Sequence, residues 1–384
     1  MTSTPSPKAV SVLVLGAGFG GLELSARLAE ELGNAVEVTL IDRSDAFVFG
    51  FAKFDILFGK KPVDAVRMLY STIASPHVRF RQETITAIDP AARRVTTDGG
   101  TYEADILVIA LGADYDYAAT PGLAESGNDF YSVPGAIRLR EILPAFTSGT
   151  AIIGVCGPSF KCPPAPSEAA ILLDEYLVER NVRQNTTIKV VMPFGIPVPP
   201  SPETSTALLA RFAERGIEFV PGRRVTALEN GAAVLDDGSK LPYDLFLGVP
   251  VHRAPAVVEE SGLAENGWIP VNPQTLATRF PDVYAVGDVT SVGTAKAGSF
   301  AERAALVVAD QLIAKLRGTP EPAGYDGTGV CYMEFGDGRV GKVDVDFFIT
   351  PGKPAADFTE PSATTSAEKS AYSPTRRDRW FGSN

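Results

Sequence analysis

Residues 8–42 constrain the fold of this chain more than any other stretch. Residues 8–15, Lys-Ala-Val-Ser-Val-Leu-Val-Leu, form a short apolar run of the buried parallel-strand type. Gly16-Ala17-Gly18-Phe19-Gly20-Gly21 follows at once. Leu22, Leu24, Ala26, Leu28, Ala29 and Leu32 then recur at helical spacing up to a C-cap at Gly33-Asn34. A second strand, Val36 to Ile41, ends in Asp42, 22 residues beyond Gly20. This is the βαβ dinucleotide-binding fingerprint in its required context. Gly16 permits the tight turn, Gly18 lets backbone approach a pyrophosphate, and Gly20 or Gly21 lets the helix pack close to its strand. The helix start offers free N–H groups and a positive dipole end to phosphates, and Asp42 suits ribose hydroxyls. A glycine-rich turn in some other α/β unit is the competing reading. The fingerprint alone does not separate FAD from NAD.

Composition narrows the functional classes. The 384 residues carry 35 Lys and Arg against 46 Asp and Glu, a net charge of −11, which argues against nonspecific nucleic-acid binding. At 45% hydrophobic and 21% charged the chain is globular, long enough for two or three domains. No run reaches the ~18–20 apolar residues needed to span a bilayer. Met1-Thr2-Ser3-Thr4-Pro5 lacks the layout of a signal peptide, so a cytoplasmic location is expected. Three cysteines are too few for a disulfide scaffold and suggest buried thiols or a redox pair. Two histidines and no second cysteine pair at ligand spacing give no metal site.

Three later segments decide the cofactor. Thr101 to Gly112 is a turn and a buried strand with the pattern Tyr-x-x-Asp-x-Leu-Val-x-Ala-x-Gly, ending in Ala110, Leu111 and Gly112. Thr278 to Asp288 is another strand, ending Val-Tyr-Ala-Val-Gly287-Asp288, and Lys296 to Glu302 opens a helix to about Leu316. With the glycine fingerprint, these motifs resemble the two-dinucleotide-domain flavoproteins of the pyridine nucleotide-disulfide oxidoreductase type. The resemblance implies FAD in a discontinuous N-terminal domain. Carried onto matching positions, it implies cofactor contacts at Gly16, Gly18, Phe19, Gly20, Gly21, Asp42, Ala110, Gly112, Gly287 and Asp288, with Asp288 on the ribityl chain.

The middle of the chain reads as a second dinucleotide fold. Ala151 to Val155 is its first strand, Ala169 to about Val178 its helix, and Ile188 to Met192 its next strand. Cys156 stands where the fingerprint needs glycine. Pro163, Pro164 and Pro166 remove N–H donors, and the strand at 188–192 ends without an acid. The fold is expected to persist while NAD(P)H binding is lost.

Cys162-Pro163-Pro164-Ala165-Pro166-Ser167-Glu168 resembles the redox loop of sulfide:quinone oxidoreductases and of the flavocytochrome c sulfide dehydrogenase flavoprotein. Cys331-Tyr332 fits the place of the partner cysteine in that branch. The resemblance implies that Cys162 and Cys331 meet at the flavin as a disulfide or polysulfide bridge. It also implies that Glu168 is an acid/base, and that Lys296 stabilises negative charge on reduced flavin. Lys161 and the helix start near Pro166 are expected to favour a thiolate. Three bland readings stand beside these: the cysteines as core thiols, Glu168 as a first-turn acid matching the helix dipole, and Lys296 as a solvated loop residue. Ser167 replaces the tyrosine of the branch pattern, and no third cysteine precedes Cys156. Cys156 is read as buried filler.

Residues 351–366 read as a loop, and Pro374 is expected to interrupt any long helix after it. The basic and aromatic Arg376-Arg377-Asp378-Arg379-Trp380-Phe381 either touches an anionic membrane surface at its inner face or folds back on the protein. The expected organisation is α/β with two Rossmann-like domains: 8–115 and 256–320 bind FAD, 116–255 form the degenerate second domain, and 321–384 a C-terminal region with Cys331. The expected activity is FAD-dependent oxidation of a small sulfur compound through Cys162 and Cys331, with a quinone or another acceptor and a homodimer as partners. The alternatives are an NAD(P)H:quinone reductase and a catalytically silent flavin-binding protein.

Overall fold

The computed structural model describes residues 9–350 and 352–382. Met1–Pro5, Lys8 at the head of the first expected strand and Pro351 at the head of the expected loop lie outside them. In chain order the elements that build the site begin with β1 (Val10–Leu15), α1 (Phe19–Leu32), β2 (Val36–Asp42), α2 (Ala52–Leu57), β3 (Val78–Gln82) and β4 (Ile106–Ile109). The second unit holds β5 (Gly149–Val155), α3 (Ala165–Glu179), β6 (Thr186–Met192), α4 (Pro202–Arg215), β7 (Ile217–Pro221) and β8 (Leu245–Val249). The chain closes with β9 (Val283–Ala285), α5 (Gly298–Arg317), β10 (Thr328–Gly336), β11 (Arg339–Asp346), β12 (Ala355–Ser362) and α6 (Ala363–Phe381).

Two parallel sheets result. The first has the order β9-β4-β1-β2-β3, so the chain leaves it after β4 and returns at β9. Alternate residues of β1 explain its unbroken apolar run. Val12 and Val14 pack with Leu24 and Leu28 of α1 and with Val308 and Leu312 of α5. Leu13 and Leu15 face the opposite core with Ile109, Ile269 and Val289. Both faces are covered, as a parallel sheet requires. The second sheet has the order β7-β6-β5-β8. In both sheets the first strand sits where strand order reverses, which places a crevice beyond its carboxyl end.

The C-terminal region departs from the sequence expectation. Residues 355–362 are a strand, β12, pairing antiparallel with β11, which pairs in turn with β10. Its sequence, Ala-Ala-Asp-Phe-Thr-Glu-Pro-Ser, carries no strong strand signal, and pairing with a neighbour decides its state. α6 starts at a capping box between Ser362 and Thr365 and runs unbroken through Pro374. Proline removes one helical N–H there, but contacts on both sides of it hold the helix. Lys369 reaches Glu168 and Glu334, and Arg376 reaches Glu302 at 3.0 Å. Arg379 pairs with Glu23 at 2.7 Å and with Glu30 at 3.0 Å. Trp380, 2% exposed, donates Nε1–H to Glu23 at 2.8 Å and packs on Phe19, Phe47 and Phe49. The basic-aromatic tail is folded back onto α1 and α5. Among the described residues no helix is long and apolar enough to cross a membrane.

Candidate active site

The glycine turn after β1 is built by close approach. Gly16 has φ +97, and a Cβ there would lie 2.4 Å from the Ala110 carbonyl oxygen. A Cβ on Gly21 would lie 1.9 Å from the Gly16 oxygen, whereas one on Gly18, at the N-cap of α1, would meet nothing. Asp42 accepts the N–H groups of Ala17 and Ser44, each at 2.8 Å, and so braces the turn. The first turn of α1 has no side-chain cap and no acid, and α5 likewise has an uncapped start at Ala297. Two helix N-termini therefore present free N–H groups, an arrangement suited to anionic and carbonyl groups.

A cleft of roughly 1400 Å³ of empty space, mouth included, opens at these N-termini. Gly18, Phe19, Gly20, Ala110, Gly112, Gly287 and Asp288 line it from the first sheet, and Ala297 to Ser299 from the start of α5. Gly298 is needed for this packing, since a Cβ there would strike the Phe19 ring at 2.6 Å. Cys162 enters the same cleft from the β5–α3 connection, Glu168 from the first turn of α3, and Cys331 from β10. The site thus brings together two cysteines that stand 169 positions apart in the chain. A glycine-lined cradle, two uncapped helix starts and a half-buried acid fit a flavin dinucleotide.

Cys162 sits at φ +51, a left-handed conformation that costs a non-glycine residue about 1–2 kcal/mol. Its N–H donates to the Lys296 carbonyl at 2.7 Å, and its own carbonyl accepts from Ala165 N–H at 2.9 Å and Tyr131 OH at 3.5 Å. Cys331 lies in β10 opposite Val343, next to Val330, whose carbonyl takes the Ser299 hydroxyl at 2.7 Å. Both are free thiols. Burial, with Glu168 and Asp344, pushes the Cys331 thiol up to about 12. Burial also raises Cys162, together with Glu168 and Cys331, but Lys369 and Lys53 pull it the other way. Both thiols are thus held up by burial and by Glu168, and Lys53, Lys161 and Lys296 line the cleft with them.

Glu168, 2% exposed, accepts from the Glu334 N–H at 3.1 Å and from Lys369 Nζ at 3.3 Å. Lys369, 8% exposed, also binds the Glu334 carboxylate at 2.7 Å. Burial raises the Glu168 carboxyl, and Lys369 opposes that shift. Lys296 donates to the carbonyls of Asp288 at 2.6 Å and Thr290 at 2.9 Å, with its ammonium 3.4 Å over the Trp268 ring. Burial lowers it to about 8. Its charge therefore anchors the loop that carries Asp288. Lys161 donates to the Ala113 carbonyl at 2.8 Å and lies over Tyr115.

Cys156 is 4% exposed, packed with Ile152, Val191 and Phe246. Gly154 serves packing too, because a Cβ there would strike the Phe246 ring at 2.5 Å. Phe160 and Phe194 stack at 6.0 Å just beyond β5 and β6. Sequence reading missed Lys369, Tyr131 and Lys53. Lys53 did leave a signal, as the one cation within the aromatic run Phe47 to Phe54. Lys369, in a polar helix, left none.

Fold and site together define a flavoprotein with two dinucleotide folds and a cysteine pair. The family profile for pyridine nucleotide-disulphide oxidoreductases matches residues 10–160 and 165–308, and the chain belongs to that family. It is an FAD-dependent oxidoreductase. Mouse mitochondrial sulfide:quinone oxidoreductase is 27% identical over 371 residues, covering 88% of this chain and 79% of that protein. A type II NADH:quinone oxidoreductase of Staphylococcus epidermidis is 36% identical over 118 residues, 30% of this chain and 29% of that one. The crystal structure of the sulfide:quinone oxidoreductase from Aquifex aeolicus matches with a TM-score of 0.85 at 22% identity, covering 98% of this chain and 93% of that one.

Proposed function

We propose that this protein oxidises sulfide, or a related small sulfur nucleophile, through Cys162 and Cys331 and delivers the electrons to a quinone. The observation that carries this reading is the convergence of both cysteines on the glycine-lined cleft with Asp288. In the oxidised, bridged pair, hydrosulfide attacks the Cys331 sulfur. The S–S bond breaks, the persulfide remains on Cys331, and Cys162 leaves as the thiolate. FAD, when bound in the cleft, supplies the two-electron acceptor between this pair and the quinone.

Each residue then has a task. Gly16, Gly20 and Gly21 shape the cradle, while Gly18, Phe19, Ala110, Gly112 and Gly287 face the cofactor. Asp42 takes the ribose while bracing the turn, and Asp288 takes the ribityl chain. Lys296 holds the Asp288 loop and, through its carbonyl, the Cys162 N–H. Glu168 serves as the acid/base of the cleft, and protonation is favoured there by burial. The domain limits follow as 8–115 with 256–320, 116–255 and 321–384. A homodimer follows from the usual symmetry of soluble oligomers. Membrane contact, where the quinone resides, is a peripheral one.

Relatives of the NADH:quinone type support a second reading, but Cys156, the prolines of the Cys162 loop and the Phe160–Phe194 stack leave the second crevice few donors. Anaerobic titration of the flavin absorbance with sulfide and with NADH, side by side, tests the choice. Bleaching by sulfide that is abolished in Cys331→Ser is expected. Reduction by NADH within seconds, with no response to sulfide, refutes the proposal, and silence with both supports a catalytically inert flavoprotein.

A further inference from the structure

β10, the strand that carries Cys331, forms one edge of its sheet, whose order is β10-β11-β12. A strand edge leaves main-chain N–H and C=O groups to be satisfied by other means. Here side chains do so. The Ser299 hydroxyl, in the first turn of α5, donates to the Val330 carbonyl at 2.7 Å and accepts the Val330 N–H at 3.1 Å. One hydroxyl thus satisfies both outward groups of the residue next to Cys331. Beyond Cys331, Glu168 accepts the Glu334 N–H at 3.1 Å. The contacts before Cys331 run in step along α5. Ser299 holds Val330, the Phe300 ring lies so close to Gly329 that a Cβ there would sit 2.6 Å away, and Arg303 reaches the Thr328 hydroxyl at 2.8 Å. Ser299 and Val330 line both the cleft and a second, polar cavity of roughly 1320 Å³, mouth included, between α5, α6 and the strands β10 to β12. The hydroxyl therefore holds β10 at a point with open space on either side.

We infer that Ser299 is a positioning residue for the sulfur chemistry: its hydroxyl latches β10 to the start of α5 at Val330 and so sets the reach of Cys331 toward Cys162. The inference rests on the reading of Cys162 and Cys331 as a redox pair. The other cysteine is held by the same stretch of chain. Cys162 donates its N–H to the Lys296 carbonyl at 2.7 Å, and Lys296 stands three residues before Ser299. Residues 296–299 thus grip both cysteines, one through a main-chain carbonyl and the other through the Ser299 hydroxyl. A disulfide forms only within a narrow window, with Cα atoms about 4.4–6.8 Å apart and Cβ atoms turned toward each other. Releasing β10 from residues 296–299 changes that separation directly, whereas a general loosening of the fold elsewhere does not single it out.

The redox equilibrium of the pair tests this without turnover. Flavin-loaded protein is equilibrated anaerobically in mixtures of reduced and oxidised glutathione. Exchange with oxidised glutathione forms the Cys162–Cys331 bond and releases the glutathione as its reduced thiol. Remaining free thiols are alkylated, and the Cys162 and Cys331 peptides are quantified by mass spectrometry. Ser299→Ala removes both hydrogen bonds to Val330 and lowers the equilibrium constant for bridge formation about tenfold. Ser299→Thr, which keeps the hydroxyl, matches the wild type. Val95→Ala, a truncation in a core cluster apart from β10, weakens the fold and leaves the constant unchanged. An unmoved constant in Ser299→Ala, or an equal fall in Val95→Ala or Ser299→Thr, overturns the inference. If Ser299→Ala does not fold, hydrogen exchange of the wild-type Val330 amide decides: strong protection upholds the latch, and a rate like that of an open strand edge overturns it. Absence of any bridge in the wild type overturns the reading of the pair itself, a result distinct from a bridge that forms but is indifferent to Ser299.

Discussion

Replacing Lys369 with methionine removes the cation from a cluster that joins three elements. Lys369 lies on α6, Glu168 on α3 and Glu334 on β10, with side-chain exposures of 10%, 3% and 24%. The substitution keeps most of the volume, so cavity formation contributes little. What remains is Glu168 in an apolar environment, with one N–H donor and the Glu334 carboxylate beside it. Breaking a buried pair in this way costs about 3–5 kcal/mol. Unfolding entropy of about 2.1 cal/mol/K per residue gives roughly 0.8 kcal/mol/K for a chain of this length unfolding as one unit, hence a Tm lower by roughly 4–6 °C. The pH dependence supplies the sharper check. Glu168 is already raised in the folded protein, and loss of Lys369 raises it further. The folded state then binds more protons than the unfolded state between the unfolded and folded pKa, so stability falls as pH rises through that window. The deficit of Lys369→Met is therefore largest near pH 8 and shrinks toward pH 5. Glu168→Gln in the same protein recovers most of the loss, a coupling read from a double-mutant cycle. Differential scanning calorimetry on flavin-loaded protein measures all four species. A loss below about 1 kcal/mol, typical of exposed pairs, or a deficit independent of pH would refute the argument.

Three further outcomes follow from the geometry. Gly16→Ala places a Cβ 2.4 Å from the Ala110 oxygen at φ +97, so the turn must shift, and flavin stoichiometry in the purified variant falls well below one. Trp380→Ala empties a site 2% exposed and removes one donor to Glu23. Chemical denaturation is expected to register a loss of about 3–5 kcal/mol. Cys156→Ala removes a buried sulfur remote from the cleft: sulfide-dependent bleaching is unchanged, and a loss of activity there would reassign the thiols.

The parts of this fold legible in the sequence are those fixed by backbone chemistry at short range. The Gly16–Gly21 turn, the strand ending at Gly112 and the Gly287-Asp288 corner each need glycine where a Cβ or a negative φ would fail, and such needs are visible residue by residue. The Cys162 loop was legible for a similar reason, since three prolines in five residues leave few conformations. β12 and the passage of α6 through Pro374 were not. Their states depend on β11 and on ion pairs with Glu302, Glu23 and Glu30, partners far away in sequence. The tail shows the same limit: its basic and aromatic residues suit a membrane surface equally well until their acidic partners are located.

The candidate site divides along that line. Which residues reach the cleft could be read from motifs, but what each charge does there could not. Lys296 sits where the motif puts it, yet its ammonium is held by two carbonyls and the Trp268 ring. Glu168 is an acid at a helix start, yet it is tied to Lys369, 201 positions later. Electrostatic roles depend on distance and burial, and both are products of long-range packing. The same two quantities set Cys162 apart from Cys331. Glu168 and burial raise both thiols, while Lys369 and Lys53, from helices far away in sequence, oppose that shift at Cys162.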